Sequence, residues 1–223
     1  TYLKTIHNQI TDAVSLSQVN PENARLADDF ADYLRSGKKS EATISVYRSD
    51  LNIAFVWCLK NIGNKSFVDW TKRDVVAFQN YLINTNKNSA ARVRRIKATL
   101  SSLSNFIENV CDDEYPNFRN IIHKIESPPQ QPVREKTVWD EDELQGVLDK
   151  LVAVRKYDVA CFVALAMYSG RRKAELCRFR VSDFSEDKLI CDGALYKSAP
   201  ILSKGRGGGK SINCYTLAKK FQP

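Results

Sequence analysis

The chain has 223 residues, which is enough for one or two domains that each bury a core. Its mean hydropathy of −0.38 and the lack of an 18-residue apolar run or a signal-peptide profile exclude a membrane span and a secreted precursor. We therefore expect a cytoplasmic protein. Six widely spaced cysteines without a C-x-x-C pair exclude a zinc knuckle and a disulfide framework. The net charge of +8 favours a polyanionic partner.

Apolar residues at helical spacing predict four helices in the first part of the chain, after a loosely amphipathic lead-in over residues 1–20. The predicted helices span residues 24–34, 40–61, 71–82 and 89–110. Ser40 and Ser89 are candidate N-caps of the second and fourth helices, and Thr71 with Asp74 is a capping signature for the third. The pattern indicates a four-helix domain.

The fourth predicted helix is rich in arginine and lysine. No acidic residue lies between Lys87 and Asn105, and four basic residues fall in this stretch: Arg92, Arg94, Arg95 and Lys97. Charged residues on a helix often form a solvated face, but such faces usually mix both signs. A face of one sign with alanine and serine beside it favours a DNA backbone, since phosphates attract the charge and small residues allow close approach.

A proline-rich segment, S-P-P-Q-Q-P, follows the helical part and predicts an interdomain linker over residues 127–136. Asp140 with Glu143 is a second capping pair. The apolar run from Val159 to Met167 is typical of a buried core helix, and Gly170 is placed to end it.

Arginine and glutamate follow Gly170 at helical spacing. If a helix begins near Arg171, then Arg172, Glu175 and Phe179 share one face. Such an arginine, held by packing near a helix start, is suited to phosphate binding through its planar guanidinium. The alternative is a surface Arg–Glu pair on an amphipathic helix.

The periodicity changes to short apolar runs after Lys188. Strands are predicted at residues 189–191, 199–202 and 211–217, around a glycine-rich turn at residues 205–209. The turn is not a P-loop, because the first glycine of that motif would stand at position 204, which is Lys204. One interpretation of this hairpin is a flexible basic loop that contacts DNA without chemistry.

Two separate stretches resemble the tyrosine recombinase family, also called phage-type integrases. The run S-G-R-R-K-A-E-L, from Ser169 to Leu176, is similar to the segment that carries the family's first catalytic arginine. The runs K-S-E-A-T-I-S-V-Y-R-S-D-L and N-S-A-A-R-V-R-R-I-K-A-T-L-S-S-L are similar to its core-binding domain, over residues 26–110. The resemblance implies a mainly α protein: a four-helix SAM-like core-binding domain, then an incomplete α+β catalytic domain with a small antiparallel β-sheet. The domain boundaries we predict are 1–20 for the lead-in, 21–126 for the DNA-binding domain, 127–136 for the linker and 137–223 for the catalytic domain.

The resemblance also implies functional residues. Arg172 would bind the phosphate, Glu175 would orient Arg172, and Lys204 would act as general acid, with Lys197 and Lys210 as alternatives. The two domains would close around duplex DNA as a clamp. The residues predicted to contact DNA are Ser89, Arg92, Arg94, Arg95, Lys97, Thr43, Arg48, Arg206 and Lys210.

Several residues of the family's active site have no counterpart in the 223 residues. A His-x-x-Arg pair, a further histidine or tryptophan, and the tyrosine nucleophile are missing after the hairpin. His7 and His123 lie upstream, and Tyr215 is a poor match for the nucleophile. We therefore expect part of a longer recombinase, one that cuts and rejoins DNA through a 3′-phosphotyrosyl link, without metal, cofactor or small-molecule ligand, in a tetrameric synapse. The chain itself is expected to bind DNA without cleaving it.

Two other classes remain open at this point. One is a non-catalytic DNA-binding regulator on an integrase-like scaffold, and the other is a helical protein-interaction module with incidental charge. Within the recombinases, the sequence does not distinguish a phage integrase from a transposon integrase or a chromosome-dimer resolvase.

Overall fold

The computed structural model describes residues 11–129, 138–203 and 210–218, with the backbone alone at Lys210. The chain divides into two compact units, residues 1–133 and 134–223. Helices dominate the described residues, and the strands form small antiparallel sheets. The predicted fold class, mainly helical with a small antiparallel sheet, is confirmed. No helix in the described ranges combines the length and the apolar character needed to cross a membrane.

The first unit is helical throughout. Its α-helices are α1 (Ala13–Ser17), α2 (Pro21–Ser36), α3 (Glu41–Asn61), α4 (Lys72–Asn80) and α5 (Ala90–Val110). A π-helical turn, Tyr81–Thr85, continues α4, and single 3₁₀ turns lie at Phe67–Asp69 and Ile122–Lys124. The four predicted helices correspond to α2 through α5.

Local capping explains where these helices begin. The Ser40 and Ser89 side chains accept hydrogen bonds from the backbone amides of Thr43 and Arg92, so both predicted caps are confirmed. Thr71 and Asp74 form a complete capping box at α4. One feature that the pattern did not indicate is α1, which lies within the predicted lead-in.

Aromatic and aliphatic side chains of α2 through α5 form one core. Trp57, Trp70 and Phe78 pack with ring centroids 5.0 to 6.1 Å apart, and Phe55 and Phe67 meet edge to face. The inward stripe predicted for the fourth helix is fully buried: Val93, Ile96, Leu100, Leu103 and Ile107. This core holds α5 rigidly and thereby fixes which of its residues face solvent.

The second unit combines short helices with strands. Its helices are α6 (Glu141–Ala153), α7 (Tyr157–Ser169) and α8 (Lys173–Leu176), followed by 3₁₀ turns at Val181–Phe184 and Glu186–Lys188. The strands are β1 (Leu189–Ile190), β2 (Leu195–Lys197), β3 (Ile201–Ser203), β4 (Lys210–Ile212) and β5 (Tyr215–Leu217). They pair antiparallel in the order β1-β2-β5, with β3-β4 as a separate hairpin.

Gly170 ends α7 as predicted. Its φ of 59° is the left-handed conformation, and its amide bonds to the Ala166 carbonyl. The helix predicted beyond it is wrong in length, because α8 makes one turn and ends at Leu176. Beyond Leu176 the amides of Arg178 and Phe179 bond to carbonyls three residues earlier, at Glu175 and Leu176, so the chain continues as tighter turns. A separate 3₁₀ turn begins at Val181, where the Asp183 carboxylate accepts a hydrogen bond from the Arg180 amide at 2.8 Å.

Candidate functional site

Arg172 stands at the junction between α7 and α8 as the N-cap residue of the one-turn helix. Its side chain is 71% exposed, whereas that of Glu175 is 3% exposed. Arg172 Nη1 donates to Glu175 Oε1 at 3.1 Å, and the Arg172 amide donates to Oε2 at 3.3 Å. The buried carboxylate therefore anchors an arginine whose remaining donors face solvent. The packing of Arg172 against a helical face, expected from the sequence, is not observed.

Glu175 has a second partner, which the sequence did not indicate. The Ser203 hydroxyl donates to Glu175 Oε1 at 2.5 Å, and both side chains are buried. This hydrogen bond lowers the pKa of Glu175 from its ordinary value of 4.5, and the bonds from Arg172 add to the effect. Glu175 is thus held ionised by two donors, Arg172 three positions before it and Ser203 28 positions after it in the sequence.

The segment that follows α8 contacts β3 and the residues just before it at two further points. Asp183 accepts a hydrogen bond from the Ala199 amide at 2.7 Å, just before β3. The Arg178 guanidinium donates to the Leu202 carbonyl within the strand. Ser203, which contacts Glu175, is the last residue of β3, and Lys204 is the next residue in the sequence.

The other predicted hairpin residues are only partly within the described structure. Lys204 and Arg206 lie outside the described residues, and Lys210 is described through its backbone, which pairs with Ser203 across the β3–β4 hairpin. Lys197 is the exposed last residue of β2. The described ranges hold no group of three His, Cys, Asp or Glu side chains that could bind a metal ion.

On the first unit, α5 presents a stripe of four exposed residues to solvent: Ala91, Arg94, Arg95 and Ala98. Their spacing of three and four residues places them on one side of the helix, opposite the buried stripe. We name this face the α5 stripe. Ser89 is exposed at its N-terminal end, where it caps the helix.

The basic residues of α5 do not form the one-signed face that the sequence predicts. Asp50 of α3 is fully buried beneath them, and Arg92 Nη1 lies 2.7 Å from Asp50 Oδ1 with a side chain that is 26% exposed. Arg95 bonds both Asp50 oxygens, at 3.0 and 3.2 Å, and Thr99 donates to the same carboxylate at 3.1 Å. Burial raises the pKa of Asp50, and Arg95 and Thr99 oppose that rise.

Lys97 has a role different from the predicted DNA contact. It is 5% exposed, and its Nζ donates to the carbonyls of Ile125 and Glu126 at 2.7 and 3.1 Å. Burial lowers the pKa of Lys97, with a further contribution from Arg94. A buried ammonium with these two partners fastens the end of the first unit to α5 and is not accessible to a phosphate.

The predicted contacts on α3 also have partners within the chain. Arg48 Nη2 lies 2.6 Å from Asp28 Oδ1 in an exposed ion pair with α2. The Thr43 hydroxyl lies 2.9 Å from that of Ser40 at the start of α3. An exposed ion pair is worth little in water, so Arg48 can exchange Asp28 for a phosphate.

Comparison with known proteins agrees with this architecture. Residues 26–117 match the family described as phage integrase, N-terminal SAM-like domain. The SPbeta prophage-derived recombinase-like protein YomM of Bacillus subtilis (strain 168) is 29% identical over 199 residues, which cover 87% of this chain and 58% of that protein.

Solved structures share the fold. A lambda integrase dimer bound to a COC′ core site is 18% identical, with a TM-score of 0.59, over 85% of this chain and 61% of that one. A lambda integrase tetramer bound to a Holliday junction is 17% identical, with a TM-score of 0.60, over 93% of this chain and 55% of that one. XerH bound to a palindromic difH substrate is 16% identical, with a TM-score of 0.57, over 96% and 60%.

The fold is of the integrase type, with a helical unit that matches the phage-integrase SAM-like domain followed by a mixed α+β unit. The resemblance to tyrosine recombinases is confirmed, and it is to the N-terminal region of these proteins. The chain spans about three-fifths of the length of the relatives it matches.

Proposed function

We propose that this chain is the DNA-gripping part of a site-specific recombinase, which binds duplex DNA and supplies the first phosphate-binding arginine of the reaction. The observation that carries this proposal is the state of Arg172. Its side chain is 71% exposed, yet a buried carboxylate fixes it at 3.1 Å. An arginine that serves only as a surface ion-pair partner has no need of a buried anchor.

The chemistry of such a site follows from its charges. When a backbone phosphate is attacked, negative charge grows on its non-bridging oxygens, and a fixed guanidinium lowers the energy of that state. Arg172 bonds Glu175 through its backbone amide and through one guanidinium nitrogen, Nη1, so the rest of the planar group can donate to one phosphate. Loss of one preorganised donor of this kind raises a barrier by on the order of 3 kcal/mol.

We assign the general acid to Lys204. Strand β3 ends at Ser203 beside Glu175, so the next residue in the chain starts within one Cα–Cα step, about 3.8 Å, of a residue that contacts the arginine anchor. A primary ammonium at that place would protonate the departing 5′ oxygen. Arg206 and Lys210 of the same hairpin would contact the backbone near the cleavage point.

The first unit would hold the duplex through the α5 stripe. Arg94 is exposed and contacts the Pro128 carbonyl at 3.4 Å, and Ala91 and Ala98 on either side leave space for a phosphate backbone. Arg95 is 51% exposed and forms an ion pair with Asp50. Ser89, Thr43 and Arg48 would supply further polar contacts, whereas Arg92 and Lys97 would support the surface from beneath.

Cleavage requires residues that the 223 residues do not include: the His-x-x-Arg pair and the nucleophilic tyrosine. We therefore propose that this chain binds DNA reversibly, and that the complete recombinase, assembled as a tetramer on two duplexes, performs strand exchange. A non-catalytic regulator would keep the DNA binding without any use for Arg172.

The test uses purified chain and a nicked suicide duplex in which any covalent product is trapped. Fluorescence anisotropy should give binding that weakens steeply with salt, and denaturing gels should give no covalent band. The Arg172→Ala variant should bind less tightly. Because it also removes a donor from the buried Glu175 carboxylate, binding is compared only under conditions where denaturation curves show that the variant is folded. Failure to bind duplex DNA at 50 mM salt would favour a protein-interaction module, and a covalent band at a tyrosine would contradict the binding-only assignment.

A further inference from the structure

We propose that Ser203 is a positioning residue of the phosphate site: its hydroxyl joins the strand that precedes Lys204 to the carboxylate that holds Arg172. This inference rests on the proposed function, since it concerns how Arg172 and Lys204 would be positioned relative to each other at the phosphate. Nothing in the sequence marks this serine, which stands in a short polar run before the glycine-rich turn.

Ser203 and Arg172 donate hydrogen bonds to the same oxygen of Glu175. Glu175 Oε1 accepts from both the Ser203 hydroxyl, at 2.5 Å, and Arg172 Nη1, at 3.1 Å. A displacement of either donor relative to the other therefore stretches a hydrogen bond to the same buried atom. The carboxylate is 2% exposed, so water cannot readily replace a lost partner.

Strand β3 has one buried face, and Ser203 lies on it. Ile201 and Ser203 point inward and Leu202 points outward, in the alternation of a strand with one buried face. Ser203 is thus a polar side chain at an inward position, 7% exposed, where an apolar residue would be the ordinary choice. Its burial is explained by its acceptor, because a buried hydroxyl needs a partner and Glu175 provides one.

Ser203 is the last residue of β3. It pairs with Lys210 in the last described pair of β3–β4, directly before the glycine-rich segment of the sequence. The Arg178 contact with Leu202 and the Asp183 contact with Ala199 hold the strand further back. Among these three contacts of the described residues, the Ser203 contact is made to the carboxylate that also holds Arg172, so it couples strand β3 to the arginine.

The experiment compares Ser203→Ala with Ser203→Thr, which keeps a hydroxyl. Ser182→Ala serves as the matched control, because Ser182 is exposed in the same unit and its backbone carbonyl, which the variant keeps, accepts a bond from the Ser185 hydroxyl. The first readout is the titration of Glu175 by carboxyl NMR. Ser203→Ala should raise the pKa of Glu175 toward 4.5, while Ser203→Thr and Ser182→Ala should leave it near the wild-type value.

The second readout is duplex DNA affinity in a double-mutant cycle with Arg172→Ala. If Ser203 acts through Arg172, Ser203→Ala should weaken binding by roughly threefold to tenfold in the wild-type background and by much less once Arg172 is removed. Equal losses in both backgrounds, or an unshifted Glu175 titration, would overturn the positioning role.

The two readouts separate this inference from the function on which it rests. If the wild-type chain does not bind DNA, the proposed function fails while the Glu175 titration still reports on the hydrogen bond. If binding depends on Arg172 but not on Ser203, the function stands and the inference fails. Thermal unfolding of each variant identifies any loss of DNA affinity that comes from general instability of the fold.

Discussion

The guanidinium of Arg95 bonds both carboxylate oxygens of Asp50, at 3.0 and 3.2 Å, across 45 positions of sequence. Asp50 has no exposed surface, and Arg92 approaches it from the same helix at 2.7 Å. The cluster of arginines on α5 is therefore partly neutralised from below by α3. Arg92 and Arg95 bond a carboxylate within the first unit, whereas Arg94, at the centre of the α5 stripe, contacts the Pro128 carbonyl at 3.4 Å.

Replacing Asp50 should destabilise the first unit strongly. Asp50→Ala removes the acceptor for Arg95 and Thr99 and leaves Arg92, which is 26% exposed, without its counter-ion. Breaking a fully buried pair costs about 3–5 kcal/mol, and the partial exposure of both arginines reduces this, so we expect a loss of about 2–3 kcal/mol in urea denaturation. Asp28→Ala is the control, because its pair with Arg48 is exposed and should change stability by less than about 1 kcal/mol. Equal losses would contradict the buried network.

The two exposed arginines of the α5 stripe should respond differently to substitution. Arg94→Ala should weaken DNA binding for all sequences, lower the slope of log affinity against log salt by about 0.9, and leave stability unchanged. Arg95→Ala should weaken binding and also destabilise the unit, since it breaks the bidentate contact with Asp50. The measurements are anisotropy titrations from 50 to 200 mM salt together with denaturation curves.

Arg119→Ala is the charge-matched control for this pair. Arg119 is exposed in the same unit, and its guanidinium donates to the carbonyls of Pro116 and Phe118. It should change neither the salt slope nor the affinity beyond twofold. If Arg119 and Arg94 had the same effect, binding would depend on net charge alone and the α5 stripe would lose its assignment.

The sequence reveals the features that are encoded within one helical turn. Ser40, Ser89, the Thr71–Asp74 box and the Gly170 stop are local signals, because each joins groups three or four residues apart, and each is present in the structure. The Arg172–Glu175 contact, at the same spacing, was predicted for the same reason.

Contacts between distant residues could not be predicted in this way. Asp50 lies 45 positions from Arg95, Ser203 lies 28 from Glu175, and Lys97 lies 28 from Ile125. Each of these pairs changes the interpretation of a residue whose type alone suggested a role. The charge of α5 indicated a DNA face, and only the tertiary structure shows that Arg92 and Lys97 are used internally.

Glu175 should make the second unit sensitive to acid. Its pKa in the folded chain is below 4.5, chiefly because Ser203 donates to it, so the folded state binds fewer protons than the unfolded state just below that pH. The stabilisation is present above pH 4.5 and is lost as pH falls through the lower, folded-state pKa. We expect the stability difference between wild type and Glu175→Gln to shrink from pH 6 to pH 3 in urea denaturation. A difference that stays constant over this range would contradict an ionised Glu175 as the anchor.

Lys97 should behave as a structural residue and not as a DNA contact. Lys97→Met keeps most of the buried volume but leaves the carbonyls of Ile125 and Glu126 without their donor, which should lower stability by about 1–3 kcal/mol. The exposed Lys124 on the same segment provides the control, since Lys124→Met removes an equal charge without a buried partner. Under conditions where both variants are folded, Lys97→Met should leave the salt slope of DNA binding at the wild-type value, because its ammonium cannot reach a phosphate. A drop of about 0.9 in that slope, as expected for Arg94→Ala, would instead place Lys97 on the DNA and require the end of the first unit to open on binding.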